Sequence, residues 1–283
     1  GAEMVQGFAS VLSAQSMFPV LSPDEMAGHY TENDVARAVR QGFLTGENGA
    51  WALISARVAA IAEYQSAFEQ INGPGHRVTF TDISDVIAEF IAFEWRADDS
   101  PFDQYLRTGE PLPKAAHSGM SLFYGKAQCS TCHAGQFQTD HDFHAIALPQ
   151  VGPGKSARFE THARDEGRLR VTGNPADAYK FRTPSLRNIA QTAPYGHNGA
   201  YATLEAMIRH HLDPVASLKA YNVAQLVLPA LPNSQDFRAT HDPDEQAAIA
   251  AANELSPSNL SETEIIQIVA FLNALSDTAS LAG

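Results

Sequence analysis

The sequence predicts an all-α fold, and three observations carry that prediction. Apolar residues recur at helical spacing in five separate stretches. No strand-rich region and no internal repeat interrupts them. Between residues 134 and 202 long periodic segments give way to many Gly, Pro and His residues, the composition of a chain that wraps something rather than packing only on itself.

The elements follow in order. Asn33 to Gln41, Ala50 to Ala62 and Asp82 to Trp95 each read as helices, the third with Thr81-Asp82 as its N-cap. Asn72-Gly73-Pro74-Gly75 is a turn between helices, because Gly and Pro adjoin there. Arg96 to Pro113 is polar and proline-bearing and reads as a connector. Gly119 to Lys126 runs directly into Cys129-Ser130-Thr131-Cys132-His133. Helical spacing returns at Thr203 to His211 and at Ser261 to Leu275, where Ser261 and Glu264 form a capping-box pattern.

Composition narrows the chemistry. The chain has 283 residues, enough for one or two domains. Its formal charge of −13 argues against nucleic acid and anionic membranes, and fits either a basic docking partner or simple solubility. No apolar run reaches the roughly 18 residues of a membrane span. Both cysteines of the chain lie in one C-x-x-C-H, the pattern of c-type haem attachment. Two thiols at this spacing can bond to the two vinyl groups of one haem, and the histidine that follows then serves as proximal ligand. A thioredoxin-like pair needs a βαβ context that the pattern lacks. A zinc site needs a second Cys/His pair, and a structural disulfide has no use for His133. A covalent haem implies export, with a signal segment removed or lying outside this sequence.

Beyond this motif the chain reads Gly167-Arg168, then Phe181-Arg182-Thr183-Pro184-Ser185-Leu186-Arg187-Asn188, then Thr192-Ala193-Pro194-Tyr195-Gly196-His197-Asn198-Gly199, then Ala202-Thr203-Leu204-Glu205. Upstream stand Phe18-Pro19, Pro23-Asp24-Glu25-Met26 and Ser100-Pro101-Phe102-Asp103-Gln104-Tyr105-Leu106. In this order the motifs resemble the bacterial di-haem cytochrome c peroxidase family, which includes the MauG-like enzymes, over nearly the whole chain. The resemblance implies two cytochrome c-like domains with long irregular haem-wrapping loops: residues 1–105 as the rear part of an N-terminal, peroxidatic domain, and 106–283 as a C-terminal domain with covalent haem c. It also implies a departure. The family carries two C-x-x-C-H motifs and this chain shows only the second, so a first haem is expected from a preceding segment or a partner chain, unless it has been lost.

The resemblance assigns roles residue by residue. Cys129 and Cys132 bind the haem and His133 holds its iron. For the opposite face, the family position falls on His211. Met207, four residues earlier on the same helical face, is the alternative ligand, and His210 points elsewhere. A His/His pair would lower the haem potential relative to His/Met. Glu25 is the implied acid/base over the peroxidatic haem, where O–O cleavage needs a proton removed from one oxygen and supplied to the other; without the family it reads as an ordinary first-turn glutamate. Pro19 lines that pocket. Thr192 and Pro194 match positions whose carbonyls bind calcium; the other reading is a plain turn. His197 would hydrogen-bond near the haem edge. Arg187 either neutralises a haem propionate or forms a structural ion pair. His141 and His144 read as haem-proximal loop residues or exposed ones; His29 and His117 follow no pattern and read as surface.

The implied function is an exported, periplasmic peroxidase-type oxidoreductase. It passes electrons from a small redox protein, or from a protein or organic substrate, through this haem c to a peroxidatic haem that reduces hydrogen peroxide. The competing class is a non-enzymatic mono-haem electron carrier.

Overall fold

The computed structural model describes residues 4–152, 154, 162, 164–226 and 236–280. They form an all-α structure in two compact units, one ending at Arg96 and the other beginning at Ala97. No described helix is long and apolar enough to cross a membrane.

The first unit contains α1 (Val11–Gln15), α2 (Asp34–Arg40), α3 (Ala50–Ala59), α4 (Ala62–Asn72) and α5 (Phe80–Glu94). The Ser10 and Asn33 side chains cap α1 and α2 by accepting backbone N–H groups. Ala60 and Ile61 break the expected 50–62 helix and a new helix starts at Ala62. Gly73, at φ 103°, ends α4 in a conformation open to glycine. The cap of α5 is Thr79, two residues before the expected one. Its hydroxyl accepts from the Asp82 N–H, and the Asp82 carboxylate accepts from the Thr79 N–H at 2.7 Å. The local pattern T-F-T-D offers two threonines, and only Thr79 has the acidic partner three residues on. Met17, Trp51 and Phe80 form the core, and the Trp51 indole N–H donates to the Met17 carbonyl at 3.1 Å. Helix α5 lies against α1 and α3.

The second unit begins with α6 (Pro101–Thr108), where the sequence suggests only a connector. Ser100 and Asp103 form a capping box and Pro101 occupies the first turn, where its missing N–H costs nothing. Only Phe102 and Asp103 are buried, so the segment looks polar yet anchors in the core of this unit. That anchoring sets the division at 96/97, ahead of the 105/106 boundary expected from sequence. There follow α7 (Lys114–Phe123), the two-residue strands β1 (Phe143–His144) and β2 (Phe181–Arg182), and α8 (Leu169–Thr172) lying between those strands in the chain. Then come α9 (Leu204–Leu212), α10 (Pro214–Lys219), α11 (Pro243–Ala252) and α12 (Glu262–Asn273). β1 and β2 pair antiparallel, Phe143 opposite Arg182 and His144 opposite Phe181.

The principal contact is α7 against α12. A Cβ on Gly119 would sit 1.8 Å from the Gln267 carbonyl oxygen, so only glycine permits this approach. Phe102, Phe123, Leu186, Ile268, Phe271, Leu272 and Leu275 fill the core around it, with the Phe123 and Phe271 ring centres 5.2 Å apart. Ser261 caps α12 with Glu264 as the sequence suggests. The stretch after the Cys–His motif is irregular, with non-glycine positive φ at Gln138, His141, Ala147, Tyr179 and Asn188.

Candidate haem site

Helix α7 delivers the Cys–His motif. Gln128 turns the chain at φ 55°, Cys129–Thr131 form one 3₁₀ turn, and the His133 N–H returns to the Cys129 carbonyl at 3.0 Å. Both cysteines are free thiols. Burial pushes the Cys129 thiol up to about 11 and raises that of Cys132 as well. Such thiols are neither activated nucleophiles nor ready thiolate ligands, which separates this pair from redox-active C-x-x-C motifs.

The histidines sort themselves by their hydrogen bonds. The His133 Nδ1–H donates to the Gln138 carbonyl at 3.1 Å. The His211 Nδ1–H donates to the Met207 carbonyl at 2.9 Å. A bond to Nδ1 fixes the tautomer and leaves Nε2 as the lone-pair donor, the arrangement of metal-ligating histidines. Burial, and then the neighbouring His211, push His133 down to about 4. Burial lowers His211 too. Both rings are therefore neutral at pH 7, and they lie near enough to influence one another. His210 is excluded. Its Nε2–H donates to the Ile146 carbonyl at 2.7 Å, and its Nδ1 accepts from the Tyr201 hydroxyl at 2.8 Å, so neither nitrogen is left for a metal. Met207 packs with Tyr195, Ala200 and Tyr201, its sulfur beside Gly196. The donor set fits a haem c: two thiols for the vinyl groups and two imidazole Nε2 atoms for the iron.

The segment that carries the family-like Phe181–Asn188 residues straps the loop after the motif. Thr139 donates to the Thr183 carbonyl at 2.7 Å, and Ser185 to that of Phe137 at 2.7 Å. The Arg187 guanidinium forks onto both carboxylate oxygens of Asp103, at 2.9 and 3.0 Å, and also donates to the Gln136 and Ala97 carbonyls. Arg187 thus forms an ion pair with Asp103, two residues into α6. Burial alone would raise the Asp103 carboxyl, but hydrogen bonds from Arg187 and Ser100 hold it below the ordinary carboxylate range. His197 stacks on Phe181 at 3.8 Å and bonds the Asp165 carboxylate at 2.7 Å.

His144 is more than a loop residue. It lies between Asp140, at 2.9 Å, and Glu254, at 3.2 Å, while Lys180 pairs with Glu254 at 2.7 Å. The Asp140 N–H holds the Cys132 carbonyl at 2.8 Å. Sequence reasoning missed Asp140, Glu254 and Asp103; the last two lie 110 and 84 residues from the side chains they pair with, a separation that leaves no local signal. The ligand atoms of Cys132, Asp140 and His144 lie within 4.8 Å of one another, and a haem bonded to Cys132 would take that sulfur.

Thr192 and Pro194 flank Ala193 just before the Tyr195–Tyr201 bridge. In the first unit, Pro19 opens a 3₁₀ turn (Pro19–Leu21). The Ser22 carbonyl then accepts from the N–H groups of Glu25, Met26 and Ala27, at 3.2, 3.2 and 3.0 Å. Glu25 therefore stands in a tight turn and not in the first turn of a helix, and its side chain is exposed. Phe18 and Met26 are likewise exposed.

Comparison with known proteins agrees with these motifs. The family profile for di-haem cytochrome c peroxidase matches residues 2–110. The chain is 29% identical over 271 residues to the cytochrome-c peroxidase IdrP1 of Denitromonas iodatirespirans, covering 87% of this chain and 62% of that protein. It is 29% identical over 210 residues to the methylamine utilization protein MauG of Methylorubrum extorquens, covering 73% of this chain and 50% of that protein. Among solved structures, a MauG-like protein associated with microbial copper homeostasis aligns with a TM-score of 0.63 and 27% identity, over 96% of this chain and 70% of the other. The chain thus spans less than two thirds of the length of these two curated relatives.

Proposed function

Because the chain belongs to the di-haem cytochrome c peroxidase and MauG-like family, we propose that it is part of an exported, periplasmic two-haem oxidoreductase of the peroxidase type. Residues 97–280 are the domain that holds one covalent haem c. Residues 4–96 are the rear part of the peroxidatic domain, whose haem is carried by another C-x-x-C-H, on a further segment or a partner chain. The observation that carries the reading is the pair His133 and His211, each with Nδ1–H bound to a backbone carbonyl and Nε2 free.

Bound haem c supplies a one-electron couple through which electrons pass to a peroxidatic haem, where hydrogen peroxide is reduced or used to oxidise a substrate. The residues of this chain do the rest. Cys129 and Cys132 would anchor the macrocycle and His133 and His211 would ligate its iron, with Met207 packing against Tyr195, Ala200 and Tyr201. With His211 in place this site is closed to peroxide, so proton transfer falls to Glu25. Its carboxylate takes a proton from one peroxide oxygen and returns one to the departing oxygen, and Pro19 limits water beside it. The carbonyls of Thr192 and Pro194 contribute to a calcium site. His197 orients the turn that follows through Asp165, and Arg187 sets the haem loop through Asp103. A small basic redox protein is the fitting donor for a chain of charge −13, with a protein or organic substrate in its place in the MauG-like variant.

Native mass spectrometry of the purified protein, with a haem count and a peroxide-turnover assay, tests this. Two haems per assembly, a low-spin spectrum for one of them, and turnover abolished by Glu25→Gln are expected. A lone chain with one haem and no turnover overturns the enzyme. It would leave the mono-haem electron carrier, a reading that the closed His133/His211 pair favours for this chain by itself.

A further inference from the structure

His210 is the one fully buried residue of α9, at 0% exposed, and it stands directly before His211 in the chain. A leucine or phenylalanine would fill that place without taking two polar nitrogens out of water. The imidazole is instead held at both ends. The Ile146 carbonyl can only accept, so His210 Nε2 carries the hydrogen and donates to it at 2.7 Å. Nδ1 is then an acceptor, and the Tyr201 hydroxyl donates to it at 2.8 Å. With that hydrogen committed, Tyr201 accepts one from the Ser217 hydroxyl at 3.0 Å. The donors run one way, from Ser217 on α10 through Tyr201 and His210 to Ile146, just after β1. Tyr201 is itself fixed, buried and bridged to Tyr195 through both backbone groups at 2.7 and 3.0 Å.

The bond that orients His211 does not place its helix. His211 Nδ1–H donates to the Met207 carbonyl, four residues back on the same α9. It turns the ring relative to α9 and leaves α9 free to rotate or slide. The contacts of Leu204 and Ile208 with the α7–α12 core are apolar and non-directional. The Arg209–Glu262 pair is exposed, and the Leu212 carbonyl accepts from the Ser258 N–H, at 2.8 Å, only at the end of the helix. His210 ties α9 by directional, buried bonds to two separate segments. Successive residues of a helix point about 100° apart, so fixing His210 also fixes the direction of His211. The two rings stand 6.2 Å apart with their planes at 79°. We infer that His210 is a positioning residue: held by Tyr201 and Ile146, it keeps α9 turned so that His211 Nε2 stays available to the haem iron. The inference rests on the His133/His211 reading, and adds to it the residue that sets how firmly the sixth position is closed.

The test uses the haem-loaded full chain and reads the low-spin electron paramagnetic resonance signal and the midpoint potential of the haem on Cys129 and Cys132. His210→Leu keeps the buried volume and removes both hydrogen bonds. It should convert a large part of the low-spin signal to high-spin and raise the potential, because a misplaced imidazole donates less to ferric iron. Tyr201→Phe removes one hydroxyl and should shift both readings less, in the same direction. His210→Gln offers a donor and an acceptor of its own and should retain the wild-type values. Arg209→Ala breaks only exposed pairs and should retain them too. Wild-type readings in His210→Leu overturn the inference, as does an equal change in His210→Gln or Arg209→Ala. If His210→Leu does not fold, Tyr201→Phe decides, and wild-type readings there overturn it. His211→Ala separates the failures. Loss of the low-spin signal in His211→Ala, with the signal intact in the His210 variants, removes this inference and leaves the ligand standing; a low-spin signal that survives His211→Ala removes both.

Discussion

Helices α5 and α12 are written in nearly the same local code and end in different surroundings. Both have a capping box and apolar residues at matching positions, so both form helices for local reasons. One buries its stripe against α7 and the other leaves it bare. The difference teaches that capping decides whether a helix forms, while the neighbouring element decides which face is worth burying. In the second unit that neighbour also carries the Cys–His motif, so the core and the haem site are one construction.

The largest effect should come from the α7–α12 crossing. Phe271→Ala removes a fully buried ring and should cost about 3–5 kcal/mol in denaturant unfolding followed by circular dichroism. Leu272→Ala should cost about 2–5 kcal/mol. Its counterpart Phe90→Ala should shift stability by no more than about 0.5 kcal/mol in the isolated chain. Equal losses at Leu272 and Phe90 would break the comparison.

Next comes Asp103→Asn, which leaves the largely buried Arg187 guanidinium without its carboxylate and should cost about 3 kcal/mol at pH 7. The sign with pH is fixed. The folded Asp103 titrates below its unfolded value of 3.8, so its contribution is present above that value. It fades as pH falls from there through the folded value. Acid unfolding of the wild-type chain should therefore steepen below about pH 4, and Asp103→Asn should flatten that limb; parallel curves would mean that the pair does not couple to folding.

His211→Ala should cost less in stability, about 1 kcal/mol from the hydrogen bond to Met207, but should change the haem-loaded spectrum from low-spin to high-spin and admit cyanide. An unchanged spectrum would hand the sixth position to Met207. The smallest effect is expected of Phe93→Ser. In the isolated chain it should stay within about 0.5 kcal/mol of wild type in denaturant unfolding.

Much of the site was legible locally. Two cysteines and a histidine at fixed spacing name their own chemistry, and helical phase separated His211 from His210 before any coordinates did. Legibility failed where the partner is remote or the signal ambiguous. Polar α6 looked like a connector because only Phe102 and Asp103 turn inward. The cap of α5 was misplaced because two threonines precede Asp82. The carboxylate that pairs with Arg187, Asp103, lies 84 residues away.

The sequence by itself determined the all-α class, the C-x-x-C-H spacing, the capped start of α12 and the family, since each rests on short-range spacing and on stereochemistry that neighbours cannot change. Tertiary structure alone decided which imidazole nitrogens hydrogen-bond to backbone carbonyls, which carboxylate takes Arg187, where the chain divides, and which face of α5 stays bare. These depend on distances between residues far apart in the chain, and burial and electrostatics are set by such distances and not by order along the backbone.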